Sequence, residues 1–160
     1  TPGIREVTSV ALPPTGVEVR VAELAPTARA EDVEDGVLLA DGSVLTGVAE
    51  ETLVRAREGE DVLPRASAGL LAAGPDVRAA AAAVLAGLPA SVAARVTGVD
   101  AQTPEQVCLT LADGPVLVWG DASRPGAKAA VVEAFLDGTD GAVRGVSELD
   151  VSVPERPLTR

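Results

Sequence analysis

Residues 106–120 read QVCLTLADGPVLVWG, two apolar runs on either side of Asp113-Gly114. Asp-Gly between runs of this kind is typical of a tight β-hairpin. The sequence therefore predicts two paired strands, over 106–112 and 115–119. This hairpin decides the fold, because the remaining elements can be placed relative to it.

A helix is predicted after the hairpin, over Lys128–Asp137, and a last strand over Leu149–Val153. Pro154 and Pro157 follow that strand and prevent it from extending. A hairpin, a covering helix and a final strand make a sheet with an open edge. An open edge can pair with a strand of another chain, so the pattern favours a partner-binding module.

The rest of the chain is predicted from turn residues and periodicity. Asp41-Gly42 and the Pro13-Pro14-Thr15-Gly16 segment each predict a turn between strands. Pro75-Asp76 precedes a helical run that Gly87 and Pro89 end. The predicted elements are strands over 5–11, 17–22, 37–39 and 44–45, a helix over 77–88, a strand reached through 92–99 and a loop over 100–104. This order predicts an α+β fold with a mainly antiparallel sheet packed with helices.

The last helix carries small and apolar residues at helical spacing. They fall at positions i, i+3, i+4, i+7 and i+8, which predicts one stripe facing the core. The stripe consists of Ala127, Ala130, Val131, Ala134 and Phe135.

Composition excludes several kinds of partner. The 160 residues carry a net charge of −11 with no basic stripe, and nucleic acids and anionic lipid surfaces require clustered Lys or Arg. Apolar residues make up 47% of the chain and aromatic residues 1%, so the core must be built from Ala, Val and Leu. No apolar run is long enough to span a bilayer.

Catalytic chemistry is not expected from these residues. The chain has no histidine, so neither Cys108 nor any serine has an imidazole base. Residues 120–128 resemble a phosphate-binding loop only loosely, because the glycine spacing is wrong and Lys128 has no Ser or Thr after it. The acidic runs 31–35 and 58–61 lack the spacing of a calcium loop. We therefore expect no catalytic residue, no metal and no cofactor.

The last strand is the strongest candidate site. Alternation predicts that Leu149, Val151 and Val153 face the core, whereas Asp150 and Ser152 face outward. Trp119 ends the hairpin and is either a core residue or an anchor facing the partner, and Lys128 opens the helix.

The ordered set of motifs resembles the FtsQ/DivIB cell-division proteins, most closely those of actinobacteria. The resemblance is best over 103–154 and weak over 46–75. It rests on Thr103–Gly114, Val118-Trp119-Gly120, Lys128 in a helix, Asp150–Pro154, and, near the start, Gly3–Val7, Pro13-Pro14 and Val17–Glu23. It implies that residues 1–26 are the last strands of a POTRA domain and that 27–160 form the family's β domain.

The resemblance also implies a function. Family members are single-pass proteins of the cell membrane whose extracytoplasmic part holds FtsB/FtsL-type partners during septum formation. The docking edge carried over to this chain is Leu149–Val153, with Trp119 and Lys128 nearby. Thr1-Pro2-Gly3 is not a natural start, so we expect any membrane segment to lie outside this chain.

Two alternatives stay open at this stage. One is an extracytoplasmic domain that binds or hydrolyses cell-wall glycan, although sites for sugars usually contain more aromatic rings than this chain has. The other is a POTRA-type module that handles the strands of exported proteins.

Overall fold

The structure, a computed structural model, describes residues 4–12, 16–31, 33, 36–48, 63–112, 114–137 and 145–160. These residues form two sheets and four helices, which confirms the predicted α+β class with a mostly antiparallel sheet.

The smaller sheet is a hairpin at the start of the chain. β1 (Ile4–Leu12) and β2 (Gly16–Glu23) pair antiparallel, so the two strands predicted there are confirmed. The centre of the predicted turn, residues 13–15, lies outside the described residues.

The described residues contribute nine strands to the larger sheet: β3 (Pro26–Ala30), β4 (Val37–Leu39), β5 (Val44–Leu45), β6 (Arg65–Ala66), β7 (Val96–Ala101), β8 (Val107–Leu111), β9 (Val116–Gly120), β10 (Glu148–Asp150) and β11 (Leu158–Thr159). Their order across the sheet is β11-β10-β9-β8-β7-β6-β3-β4-β5. Three neighbouring pairs are parallel, β3 with β6, β6 with β7 and β9 with β10, and the other five are antiparallel.

The helices lie in two crossovers between parallel strands. The first crossover joins β6 to β7 and the second joins β9 to β10. β6 and β9 point the same way, and both crossovers step in the same direction along the sheet. Because such crossovers are nearly always right-handed, the four described helices lie on one face of the sheet. The first contains α1 (Ala68–Ala72), α2 (Pro75–Gly87) and α3 (Ala90–Ala93), and the second contains α4 (Pro125–Asp137).

The core lies between this helical layer and one face of the sheet. Small side chains on α2, such as Ala81 and Ala82, allow the helix to approach the strands closely. Trp119 is the largest fully buried side chain. A single cluster extends from Ala28 and Leu38 on one side to Leu149 and Val151 on the other.

The predicted hairpin at Asp41-Gly42 is confirmed and packs against α2. Gly42 has φ +81°, and a Cβ there would stand 2.4 Å from the backbone nitrogen of Ala79. Arg78 Nε donates to the carbonyl of Gly42 at 2.9 Å, and its guanidinium also donates to the carbonyls of Leu71 and Ala73. One arginine therefore joins the hairpin turn to the end of α1.

The predicted core stripe of α4 is wrong by about one position. Ala127, Ala130 and Ala134 are exposed, whereas Lys128, Ala129 and Val132 are buried. Val131, Phe135 and Leu136 pack partly against the core. The buried stripe begins at Lys128. Because lysine is polar, the spacing of apolar residues does not identify this position as buried.

Other predictions were right in kind but wrong in extent. The helix predicted over 77–88 spans 75–87, and the hairpin over 106–120 is confirmed. The loop predicted over 100–104 begins two residues too early, because Asp100 and Ala101 pair with Cys108 and Val107 and so complete β7. None of the four described helices has the length and apolar composition needed to cross a membrane.

Candidate partner-binding edge

β10 is fixed on its inner side by β9. The two strands pair in parallel, with Leu149 beside Leu117 and Asp150 beside Val118. The amide of Val151 donates to the carbonyl of Val118 at 3.0 Å. Leu149 and Val151 are buried, so their predicted inward orientation is confirmed.

The predicted strand is too long. β10 ends at Asp150, whose Oδ1 accepts hydrogen bonds from the backbone nitrogen of Ser152 at 2.9 Å and from its hydroxyl at 2.7 Å. This local turn competes with continuation of the strand. Val153 lies beyond the turn and is 49% exposed, so its predicted place in the core is wrong.

The predicted open edge is also wrong. After Pro154 the chain turns, with the amide of Arg156 donating to the carbonyl of Val153, and it returns as β11 antiparallel to β10. Leu158 lies opposite Asp150. The edge of β10 is therefore occupied by the segment that was expected to lead away from it.

β11 is attached mainly through backbone and surface groups. The amide of Glu148 donates to the carbonyl of Arg160 at 3.0 Å, and the amide of Arg160 donates back at 2.9 Å. The Arg160 guanidinium pairs with the Glu148 carboxylate at 3.0 Å. Leu158 is 57% exposed, and residues 155–160 are all exposed. Nothing in this segment is anchored in the core beyond Pro154.

Trp119 and Lys128 lie beneath the edge and not on its surface. Both side chains are fully buried, and Lys128 Nζ is 5.9 Å from the centre of the indole ring. The indole nitrogen has no hydrogen-bond partner among the described residues, so packing and the ammonium hold the ring. In this arrangement both side chains are part of the core and are not exposed at the surface.

The Lys128 ammonium is neutralised by Asp121. Nζ donates to Asp121 Oδ1 at 2.8 Å and to the Asp121 carbonyl at 2.9 Å. The bond from Lys128 and then the bond from the Ser123 hydroxyl lower the pKa of Asp121 from 3.8 to about 2. A buried ammonium is tolerated only when it is paired in this way. The pair ties the start of α4 to the loop that follows β9.

Gly120 brings the end of β9 against the segment after β10. Its φ is +79°, and a Cβ there would be 2.9 Å from the Cβ of Ser152. Only glycine combines this conformation with this approach. Gly120 is not among the residues predicted for the site from sequence, and the Trp-Gly pair at the strand end is the signal that could have indicated it.

The sheet face opposite the helices is the outer surface of this region. Cys108, Val118 and Asp150 are neighbours across three strands there, and all three are partly buried. Burial raises the pKa of the Cys108 thiol, and the carboxylates of Asp100, Glu148 and Asp150 raise it further. Val116 is 38% exposed on the same face. The outer surface is thus apolar at its centre and acidic around it.

The described residues hold no group of three or more His, Cys, Asp or Glu side chains that could bind a metal. Three Asp-x-Ser segments recur at strand ends, at Asp41, Asp121 and Asp150. In each, the carboxylate accepts from the amide and hydroxyl of the serine two residues later. These contacts stabilise turns.

No protein-family model matches the chain, and no curated protein sequence matches it. The likeness to FtsQ/DivIB proteins rests on the residues quoted above.

Proposed function

We propose that this chain is a non-enzymatic scaffold of the divisome that binds FtsB/FtsL-type partners at the edge of β10 during septum formation. In this proposal the region lies outside the cytoplasm, and a segment beyond this chain anchors it in the cell membrane. β1 and β2 would be the last strands of a POTRA domain, and their separate two-stranded sheet supports that assignment.

One observation carries the proposal. β10 is held firmly on one side by β9 and by the core, whereas on the other side its neighbour among the described residues is a two-residue, exposed strand. A strand fixed along one edge and weakly covered along the other is suited to receive a strand from another chain. Glu148 and Asp150 then face the partner strand, and Ser152 lies in the turn that ends β10. Leu149 and Val151 are buried in the core and hold the strand in register with β9.

The register shows which backbone groups a partner can use. The amide of Val151 is already bonded to Val118 on β9, so a proline at 151 would damage the sheet itself. The amide of Glu148 points to the outer side, where Arg160 now accepts it. Glu148 is therefore the position at which a backbone change affects docking while leaving the contacts with β9 in place.

The test compares Glu148→Pro with Glu148→Gln. The probe is the extracytoplasmic part of an FtsB-type protein from the same genome, alone and in complex with its FtsL-type partner, titrated by calorimetry. Proline removes the edge donor, so we expect binding to weaken by at least about tenfold. Glutamine keeps the backbone donor and loses only the carboxylate that pairs with Arg160, so it should bind more tightly than Glu148→Pro.

Folding of both variants is checked by the fluorescence of Trp119, the only tryptophan. If folded Glu148→Pro binds as tightly as Glu148→Gln, the partner does not pair with this edge and the proposed function loses its structural basis.

A further inference from the structure

We propose that β11 is an internal substitute for the partner strand, so that a partner must displace it and must present the same side-chain pattern. The inference rests on the function proposed above and concerns the regulation and specificity of the same edge.

β11 is weakly attached to the larger sheet. Its residues are exposed, and its two ion pairs lie at the surface, Arg160 with Glu148 and, in the preceding turn, Arg124 with Glu155. Ion pairs of this kind contribute little, because water screens them. Elements with few buried apolar contacts open locally without global unfolding. β11 can therefore leave while β10 stays bonded to β9.

A partner could not simply add outside β11. That outer edge offers only Leu158 and Thr159 as strand residues, and Pro157, just before them, has no amide hydrogen. β10 offers three strand residues held rigidly by β9. Displacement of β11 gives a partner the longer and better fixed edge.

The displaced segment also indicates what the partner looks like. Leu158 lies opposite Asp150, in the row that continues through Val118 to Cys108 on the outer face. Arg160 places its guanidinium on the carboxylate of Glu148. A competing strand running antiparallel to β10 should therefore carry an apolar residue opposite Asp150 and a basic residue two positions later, opposite Glu148.

The first test locks β11 in place. Asp150 and Leu158 are direct cross-strand partners, and the spacing of such pairs suits a disulfide. The variant is Asp150→Cys with Leu158→Cys, in a Cys108→Ser background that removes the neighbouring thiol. The reduced form of the same protein is the control. The probe is the FtsB-type extracytoplasmic segment, and we expect its Kd to be at least about tenfold higher for the oxidised form.

The second test loosens β11. Arg160→Glu places two carboxylates together at the edge and should release the strand, lowering the Kd of a probe that supplies its own basic residue by about threefold. Arg156→Glu is the matched control, since it makes the same charge change in the turn outside β11. Equal affinity of the oxidised and reduced proteins, together with equal affinity of the two glutamate variants, would overturn the inference.

A measurement without any partner separates this inference from the proposed function. Hydrogen exchange followed by NMR should show the Arg160 and Glu148 amides exchanging at least about tenfold faster than the Val151 amide, which faces β9. If the probe binds no form of the protein, the proposed function fails, and this result still decides whether β11 detaches. Equal exchange at all three amides would show that β11 opens only with the whole fold.

Discussion

The pair formed by Lys128 and Asp121 gives the sharpest prediction about what stabilises the edge. Asp121→Asn keeps an oxygen that can accept from Ser123 but leaves the buried ammonium without its carboxylate. Loss of a charge-assisted hydrogen bond costs about 1.5–3 kcal/mol. The Asp121 side chain is 53% exposed, so water compensates in part and we expect about 1–2 kcal/mol of lost stability.

Lys128→Met is the informative comparison. Methionine fills a similar volume next to Trp119 without a charge. The Asp121 carboxylate, which then has no lysine partner, remains solvated and still accepts hydrogen bonds from Ser123. Replacing a buried charge with an apolar side chain is often neutral, so we expect a change within about 1 kcal/mol. The double variant should resemble Lys128→Met alone, because no ammonium is left unpaired.

Urea denaturation measures all four proteins. Trp119 lies 5.9 Å from Lys128 Nζ and is the only tryptophan, so its fluorescence reports on this pair as well as on global unfolding. If Lys128→Met were destabilised as much as Asp121→Asn or more, the cost would arise from lost packing or from the interaction with the ring. An unpaired buried charge would then not explain the lost stability of Asp121→Asn.

Three further predictions concern the same region. Gly120→Ala should destabilise the chain by about 1–3 kcal/mol, because the residue has a positive φ and the added methyl group would clash with Ser152. Gly126→Ala is the control: it lies on α4 with open space around it and should be neutral or slightly stabilising in the same urea experiment. The folded pKa of Asp121 is lowered to about 2 from 3.8, so the stabilisation by ionised Asp121 is present above pH 3.8 and is lost as the pH falls through 2. An acid titration followed by Trp119 fluorescence should show this loss of stability in the unmodified chain and not in Asp121→Asn. The raised pKa of Cys108 predicts slow alkylation by iodoacetamide at pH 8 that accelerates in urea, and fast alkylation of the folded chain would contradict it.

The hairpins and long helices could be predicted from sequence because their signals are local. Asp-Gly turns, alternating strands and the Pro75 helix start each specify an element without reference to distant residues. β6 and β11 could not be predicted in this way, because a two-residue strand has no period and exists only through its neighbours. The phase of α4 was misread for a related reason. Lys128 is buried because Asp121 folds back to meet it, which no apolar pattern reveals.

At the candidate site, too, features set by local sequence could be predicted and features set by tertiary contacts could not. The inward orientation of Leu149 and Val151 followed from alternation. The end of β10 at Asp150, the exposure of Val153 and the cover supplied by β11 depend on a turn and on a tertiary pairing. Together these corrections show that the Glu148 amide, and not the Val151 amide, points to the outer side of β10, and that Trp119 and Lys128 belong to the core.

Hydrogen exchange with the FtsB-type segment bound at saturation tests the central claim most directly. Glu148 and Arg160 form backbone hydrogen bonds with each other in the unbound chain. A strand that replaces β11 would bond to the backbone of Glu148 and leave the backbone of Arg160 without this partner. We predict that the Glu148 amide becomes more protected on binding while the Arg160 amide loses protection. Binding that leaves both amides unchanged would place the partner elsewhere and contradict the account.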